Sequence, residues 1–357
     1  MRWPFKRRAS SDQWVVSWVA QSLCYVRARS TADDKFEIRQ LGVERQGTDS
    51  TELFLQRLQA LGMKGIEATV MLRPEQYQLL QIDTPPVAPE ELRSAARYQI
   101  REMLDVHIDD VTLDVMKVGD GQQKGTEHLF VVAATNAVIR QALELGNSLN
   151  WKISVIDIQE TAQRNLQTML GRHTGTVPRA QAALVLSEGQ HALLTISANE
   201  ELFYTRRLDV PKGFLEMDWG GPDGGEAATE GFTPVGEYVP DYKVGPESYG
   251  TDYSGGGGGG GAAPGNSEGA QRVLVEVQRS LDLWDRSWSS LPLDGLKVYA
   301  GERSQELAQW LTREMGHSVG SLELPSLFSG MDAFAPADVT ACAPLLGVLL
   351  RNEARKL

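Results

Sequence analysis

Cysteine is scarce: Cys24 and Cys342 are the only two in 357 residues. They lie far apart in the chain, each in an apolar stretch. That excludes a disulfide framework and reads as two reduced, buried thiols in a cytoplasmic protein. Long apolar runs are missing as well. The longest, around residues 129–134 and 344–350, have the length of buried strands or one helix face, well short of the roughly 20 residues that span a bilayer. Positive charge is in the minority, with 35 Lys and Arg against 47 Asp and Glu. Beyond the first eight residues there is no concentrated basic face, which excludes a general nucleic-acid binder. The five histidines have no metal-ligand spacing, which argues against a zinc or iron site. No Walker A loop occurs. The start of the chain, Met1-Arg2-Trp3-Pro4-Phe5-Lys6-Arg7-Arg8, has no apolar core of a secretory signal. Residues 1–12 read either as a solvated basic tail or as a weak membrane-surface contact, with Trp3 and Phe5 at headgroup level.

What is present is enough apolar residue for two lobes of roughly 150 residues each. Residues 14–18, 24–29 and 36–41 alternate as three antiparallel strands. Ser50 caps a helix over 51–61 with Phe54, Leu55, Leu58 and Leu61 on one face, and Gly62 stops it. Strands follow at 68–72 and 79–82. Pro89 opens a helix to Leu104 with an apolar stripe of Leu92, Ala95, Ala96, Ile100 and Met103. Strands at 112–118 and 129–134 precede a helix capped by Thr135 with Ile139, Ala142, Leu143 and Leu149 inward. A short buried strand at 153–158 leads into a helix through Ala162, Leu166 and Met169. The pattern then restarts: 182–186, 192–197 and 202–206 are again three short strands. A strand triplet opening each half is the organisation of a duplicated α/β lobe.

Between Asp218 and Ser267 the composition changes. The segment holds sixteen of the 35 glycines, and eight acids face one base, Lys243. Such a stretch cannot bury enough apolar surface to offset its ordering entropy and is expected to be disordered. Ala270, Val273, Leu274, Val277, Leu281, Trp284 and Trp288 then recur at helical spacing. A strand at 296–300 runs into Gly301, Ser304 caps a helix carrying Leu307, Trp310, Leu311 and Met315, and residues 345–350 close the chain as an apolar helix.

Four segments in this order resemble the PilM/MshI family of type IV pilus biogenesis. They are Ile82-Asp83-Thr84-Pro85 running through Pro89-Glu90-Glu91-Leu92 to Ala95-Ala96-Arg97-Tyr98-Gln99; Val131 to Ala134 with Trp151-Lys152-Ile153-Ser154-Val155-Ile156-Asp157; Leu202-Phe203-Tyr204-Thr205-Arg206; and Glu276-Val277-Gln278-Arg279-Ser280-Leu281-Asp282. The resemblance implies an α/β actin-like ATPase fold: two ribonuclease-H-like lobes, here 13–178 and 179–357, around a cleft. It also implies a PilM-type α/β subdomain inserted at about 74–126. It further implies a cytoplasmic protein, peripheral at the inner membrane, that binds the cytoplasmic tail of a bitopic PilN-like partner and other pilus assembly proteins. The type II secretion protein GspL is a structural relative of the family, so a secretion role stays open, as does an active ATP-hydrolysing member of the superfamily.

Active members hold ATP and Mg²⁺ on two hairpin turns that carry an Asp and small residues, where backbone N–H groups meet the phosphates. The corresponding residues here are Gln21 and Ser22 in the first turn, with neither Asp nor Gly, and Ser187, Glu188 and Gly189 in the second. On the adenosine side stand Gly301 and Glu302 after Tyr299-Ala300. Without an acid to anchor the divalent ion, triphosphate charge is under-compensated, so residual nucleotide binding remains open and a pseudo-ATPase is expected. A scaffold acts through a surface instead. On the helix from Pro89, Arg93, Arg97 and Tyr98 are the candidate anchors for a partner peptide, being of types favoured at interface hot spots.

Overall fold

The computed structural model describes residues 12–31, 35–120, 127–175, 179–186, 191–219 and 264–352. The elements, in order, are β1 (Gln13–Val19), β2 (Ser22–Ser30), β3 (Phe36–Arg45), α1 (Thr51–Ala60), β4 (Glu67–Leu72), β5 (Tyr77–Asp83), α2 (Leu92–Gln99), β6 (Val111–Lys117), β7 (His128–Thr135), α3 (Asn136–Ser148), β8 (Lys152–Ile158) and α4 (Gln159–Thr174). The second half adds β9 (Ala180–Leu186), β10 (His191–Ala198), β11 (Glu201–Asp209), α5 (Pro264–Ser287), β12 (Leu293–Tyr299), α6 (Ser304–Met315), β13 (Val319–Ser321), β14 (Phe328–Ser329) and α7 (Pro336–Leu349).

Two sheets repeat one topology. The first runs β14-β3-β2-β1-β4-β8 and the second β11-β10-β9-β12-β13. In each, three antiparallel strands are followed by two parallel additions beside the first strand of the triplet. The two strand triplets read from the sequence are these meanders. Period-two alternation divides their side chains. Trp14, Val16, Leu23 and Tyr25 face outward to Phe54 and Leu58 of α1 and to Ala142 of α3. Val15, Val26 and Ala28 face inward to α7. The outer face of the second sheet is covered by α5 and α6 through Val273, Val277, Leu281, Trp284, Leu307 and Leu311. Between the sheets lie α7, packed on the first, and α4, packed on the second.

Where α4 and α7 cross, Gly347 meets Ala162 so closely that an added Cβ would stand 1.9 Å from the Ala162 carbonyl oxygen. Almost every side chain from Gln159 to Gly171 is buried, polar ones included. Burial of a polar group requires a hydrogen-bond partner, and α4 supplies them at four-residue steps. Gln163 Nε2 donates to the carbonyls of Ala183 and Leu193, and Gln167 Nε2 to those of Gln181 and Thr195. Asn165 Nδ2 donates to the Gly347 carbonyl across the crossing.

β5, β7 and β6 form a separate three-stranded sheet with β7 in the middle. This sheet extends to Thr135, beyond residue 126, because its central strand is the last of the three in sequence. One face of this sheet packs on Ala96 and Ile100. On the other, Val118 and Phe130 meet Leu202 of the second lobe.

Several expectations change. The helix from Pro89 to Leu104 is α-helical only over Leu92–Gln99, with 3₁₀ turns on both sides. The tighter 3₁₀ winding rotates Met103 off the buried stripe, leaving it 48% exposed. Leu143 points to solvent as well, since the inner face of α3 is set by Ala142 and Gly146. Ser304 is the first residue of α6 rather than its cap; its hydroxyl turns back to accept from Ala300 N and donate to Gly301 O. The end of the chain returns to the first lobe, where β14 pairs with β3 and Phe328 packs on Phe36. The apolar α7 finds cover on both faces only between the two sheets. Most of the expected disordered stretch, and the basic tail at residues 1–11, lie outside the described residues. At its edges the chain is folded: Trp219 is buried on Phe214 and Trp310 beneath the Arg303 guanidinium, and α5 begins at Pro264.

Candidate functional site

The cleft between the sheets opens where β1, β4, β8, β9 and β12 end. Its first turn is a two-residue hairpin, Ala20 and Gln21, both at positive φ (47° and 63°). Both central residues in left-handed conformation is the arrangement usually met by Asn-Gly. Here Ala20 and Gln21 project exposed side chains, and Ser22 is already the first residue of β2. Ser187, Glu188 and Gly189 lie outside the described residues, so the opposite turn is defined only by its flanks, Leu186 and His191.

The floor carries a cation that sequence reasoning missed. Arg73, buried at the end of β4, donates through Nε to Ser17 Oγ and through Nη2 to the Ala341 carbonyl of α7. No ion pair of Arg73 is found among the described residues. Its backbone N–H is held by Gln76 Oε1, and Gln76 Nε2 in turn holds the Trp18 carbonyl. Asp157, the acid before α4, is committed elsewhere: it accepts from the Thr161 hydroxyl and pairs with Arg351 at 2.8 Å. Among the described residues no group of three or more His, Cys, Asp or Glu side chains could hold a metal.

Deeper in, Tyr299, Leu322, Leu324, Ala343 and Pro344 close around Gln159 and Gln163, leaving about 10 Å³, no more than one water needs. Nearer the mouth, about 240 Å³ remains between Pro74, Glu75, Gln159, His191 and Arg207. Both polar atoms of the Gln159 side chain lack a partner among the described residues. Gln159 and Gln163, four residues apart and so on one face of α4, were the available signal for this lining. Beside it, Glu160 is buried; its carboxylate accepts from the Tyr77 hydroxyl and pairs with Arg207 at 3.4 Å. Burial pushes the Glu160 carboxyl up, against the pull of Arg207 and the Tyr77 hydroxyl.

At Gly301, the expected adenosine-side glycine, φ is 61°, and a Cβ there would stand 2.4 Å from Thr340 Oγ1 of α7. Burial likewise raises the Tyr299 hydroxyl to about 12. The glycine expected to admit an adenine ring is thus faced by α7, and Glu302 is exposed beyond it. Gly301→Ala combines left-handed strain with this contact and is expected to cost about 2 kcal/mol, read as a lowered denaturation midpoint at unchanged slope.

Of the peptide anchors, Arg93 pairs with Asp114 at 2.9 Å on the surface. Arg97 faces inward to the chain, donating to the carbonyls of Ile108 and Val111 and pairing with Asp109. It therefore holds the turn before β6. Tyr98 is 79% exposed, and Val87, Met103 and Val106 of the same subdomain are exposed apolar side chains. The structure separates the three expected anchors into a surface pair, a turn-holding guanidinium and one free aromatic.

Among the described residues no helix is long and apolar enough to cross a membrane. No family model matches the sequence, and no curated protein matches it. Solved structures do. A PilM–PilN type IV pilus biogenesis complex is similar at 14% identity and TM-score 0.61, covering 96% of this chain and 100% of the other. The cytoplasmic domain of EpsL, an inner-membrane component of the type II secretion system of Vibrio cholerae, is similar at 17% identity and TM-score 0.39 over 60% of this chain and 79% of the other. A Bacteroides thetaiotaomicron protein of unknown function with an actin-like ATPase fold is similar at 6% identity and TM-score 0.45 over 96% of each chain. At these identities the likeness is one of architecture, and the architecture is the mixed α/β actin-like ATPase fold.

Proposed function

We propose that this chain is a cytoplasmic scaffold, peripheral at the inner membrane, of a type IV, MSHA-like pilus-assembly apparatus. In this reading it binds the cytoplasmic tail of a PilN-like inner-membrane protein and does not hydrolyse ATP. The observation that carries the proposal is a whole-length match in fold to a chain of the PilM–PilN complex. The ordered motifs shared with the PilM/MshI family support the same reading. The subdomain from Tyr77 to Thr135 supplies the surface, with Tyr98 as its aromatic anchor and the neighbouring exposed Met103 and Val106 as apolar contacts.

The test is a fluorescence-anisotropy titration with a labelled tail peptide of the PilN type. Binding by the wild type is expected, weakened about tenfold by Tyr98→Ala, the effect of a modest interface hot spot. Failure of the wild-type protein to bind any such tail would remove the scaffold assignment. Millimolar Mg-ATP is expected to leave the melting temperature unchanged and to release no phosphate. A ligand at a hundredfold excess over its Kd would add about 2.7 kcal/mol to the native state, so a clear upward shift would overturn the pseudo-ATPase half of the proposal.

A further inference from the structure

The two cysteines, remote in sequence, meet in the fold. Cys342 lies on the face of α7 that covers β2 and β3, fully buried, with Sγ 3.3 Å from the Gly42 carbonyl, to which it donates, and 3.6 Å from that of Tyr25. Cys24 directly precedes Tyr25 on β2 and pairs in register with Val43, which follows Gly42. Strand alternation turns Cys24, Val26 and Ala28 to the inner face, so both thiols belong to one apolar cluster, and the two side chains are in hydrogen-bond contact. Cys342 is buried and Cys24 half-buried. The chain contains no third cysteine to compete. Two thiols in contact, one of them on a residue that is only half-buried, are the arrangement of a redox pair rather than of two inert core residues.

We propose that Cys24 and Cys342 form a redox site that closes to a disulfide by exchange with a small-molecule disulfide of the glutathione class, tying α7 to β2. The difference in exposure fixes the order of events. Cys24 gives up its proton to water, and its thiolate attacks one sulfur of glutathione disulfide. That S–S bond breaks, and one glutathione leaves as a thiolate that takes up a proton. Cys342 then loses its proton and attacks the Cys24 sulfur. The Cys24–Cys342 bond forms, and the second glutathione departs, protonated in turn. Two protein thiols are oxidised and one glutathione disulfide is reduced to two glutathione molecules. The hydrogen bond with Cys24, together with burial, pushes the Cys342 thiol well up. It is therefore the resolving partner and its step is the slower one. The bond would join the helix that brings the chain back from the second lobe to a central strand of the first, closing almost the whole sequence into one covalent loop.

The full-length protein is incubated with millimolar glutathione disulfide and analysed by intact mass, by peptide mapping without reduction and by thiol titration after unfolding. The expected result is loss of both titratable thiols, a Cys24–Cys342 linked peptide and a melting temperature about 5 °C above that of the reduced protein. Reductant is expected to reverse all three. Cys24→Ser is expected to yield neither linked peptide nor glutathione adduct, and Cys342→Ala a lasting glutathione adduct on Cys24. The proposal fails if the wild type keeps both thiols, stops at the adduct on Cys24, or forms disulfides only between molecules. None of these readouts depends on a pilus partner or on ATP, so the outcome stands apart from the scaffold assignment.

Discussion

Gly347→Ala is expected to lower stability by about 4 kcal/mol, a loss at the upper end for a single added methyl group. In an open helix the same change would stabilise by about 1 kcal/mol, because alanine orders more easily than glycine. Here the new Cβ would stand 1.9 Å from the Ala162 oxygen, 2.5 Å from its carbonyl carbon and 3.0 Å from its Cα. All three are backbone atoms of α4, so no side chain can swing aside. The two helices would have to separate, and the Asn165–Gly347 hydrogen bond would break with them. Gly146→Ala in α3 is the matched control. Its Cβ would press at 2.7 Å on Ile153 Cδ1, the far end of a side chain, with Ile153 Cγ1 and Trp151 Cβ at 3.4 and 3.6 Å, and its effect is expected to lie within about 1 kcal/mol of zero. Urea denaturation of the three proteins decides the matter. Equal midpoints for Gly347→Ala and the wild type would show that the crossing is looser than described.

Arg207→Met is expected to destabilise by about 2 kcal/mol at pH 8 and by less at pH 5, since it leaves the buried Glu160 charge without its cation, although the exposed guanidinium is partly screened by water. Arg207 Nη2 lies 3.4 Å from Glu160 Oε1, Nη1 donates to the Tyr77 carbonyl, and the guanidinium stands 4.8 Å over the Tyr77 ring. Glu160 is an acid whose folded pKa is raised above its unfolded value. The folded state therefore holds its proton where the unfolded state has released it, and stability falls as pH rises from the unfolded value through the folded one. Removing Arg207 removes the main downward pull and widens that window upward. The Tyr77 hydroxyl, pushed well above its ordinary value by burial, remains a neutral donor throughout. Arg207→Met combined with Glu160→Gln has no charge to strand and is expected to recover most of the loss at pH 8. A pH-independent defect in the single variant, unrelieved in the double, would assign the effect to lost packing alone.

Local signals carried the elements well and the site poorly. Ser50 and Thr135 cap α1 and α3 as read, each accepting from the N–H three residues on. The apolar stripe of α5 is buried at Val273, Val277, Leu281 and Trp284. These features depend on neighbours within a few turns, and periodicity reports them. The duplicated meanders were legible for the same reason. The cleft was not, because its lining is set by contacts across hundreds of residues. Arg73 owes its burial to Ala341, and Gly301 its crowding to Thr340. Arg97, legible as an interface anchor by type, is drawn inward by the carbonyls of Ile108 and Val111. The first half of α7, Pro336 to Ala343, is poor in large apolar residues, and as far as Thr340 it stays exposed or half-buried; burial between the sheets begins at Ala341.

The amide side chains of α4 reach the backbone of the second sheet, and its Ala162 touches the helix seated on the first. A part joined in this way has no compliant joint at its centre. Traction applied to a bound tail would travel through the molecule as through a stiff strut, reaching the far edge at β13 with little given up to bending. Under the scaffold proposal, such a body would suit a component that relays tension from one neighbour to the next.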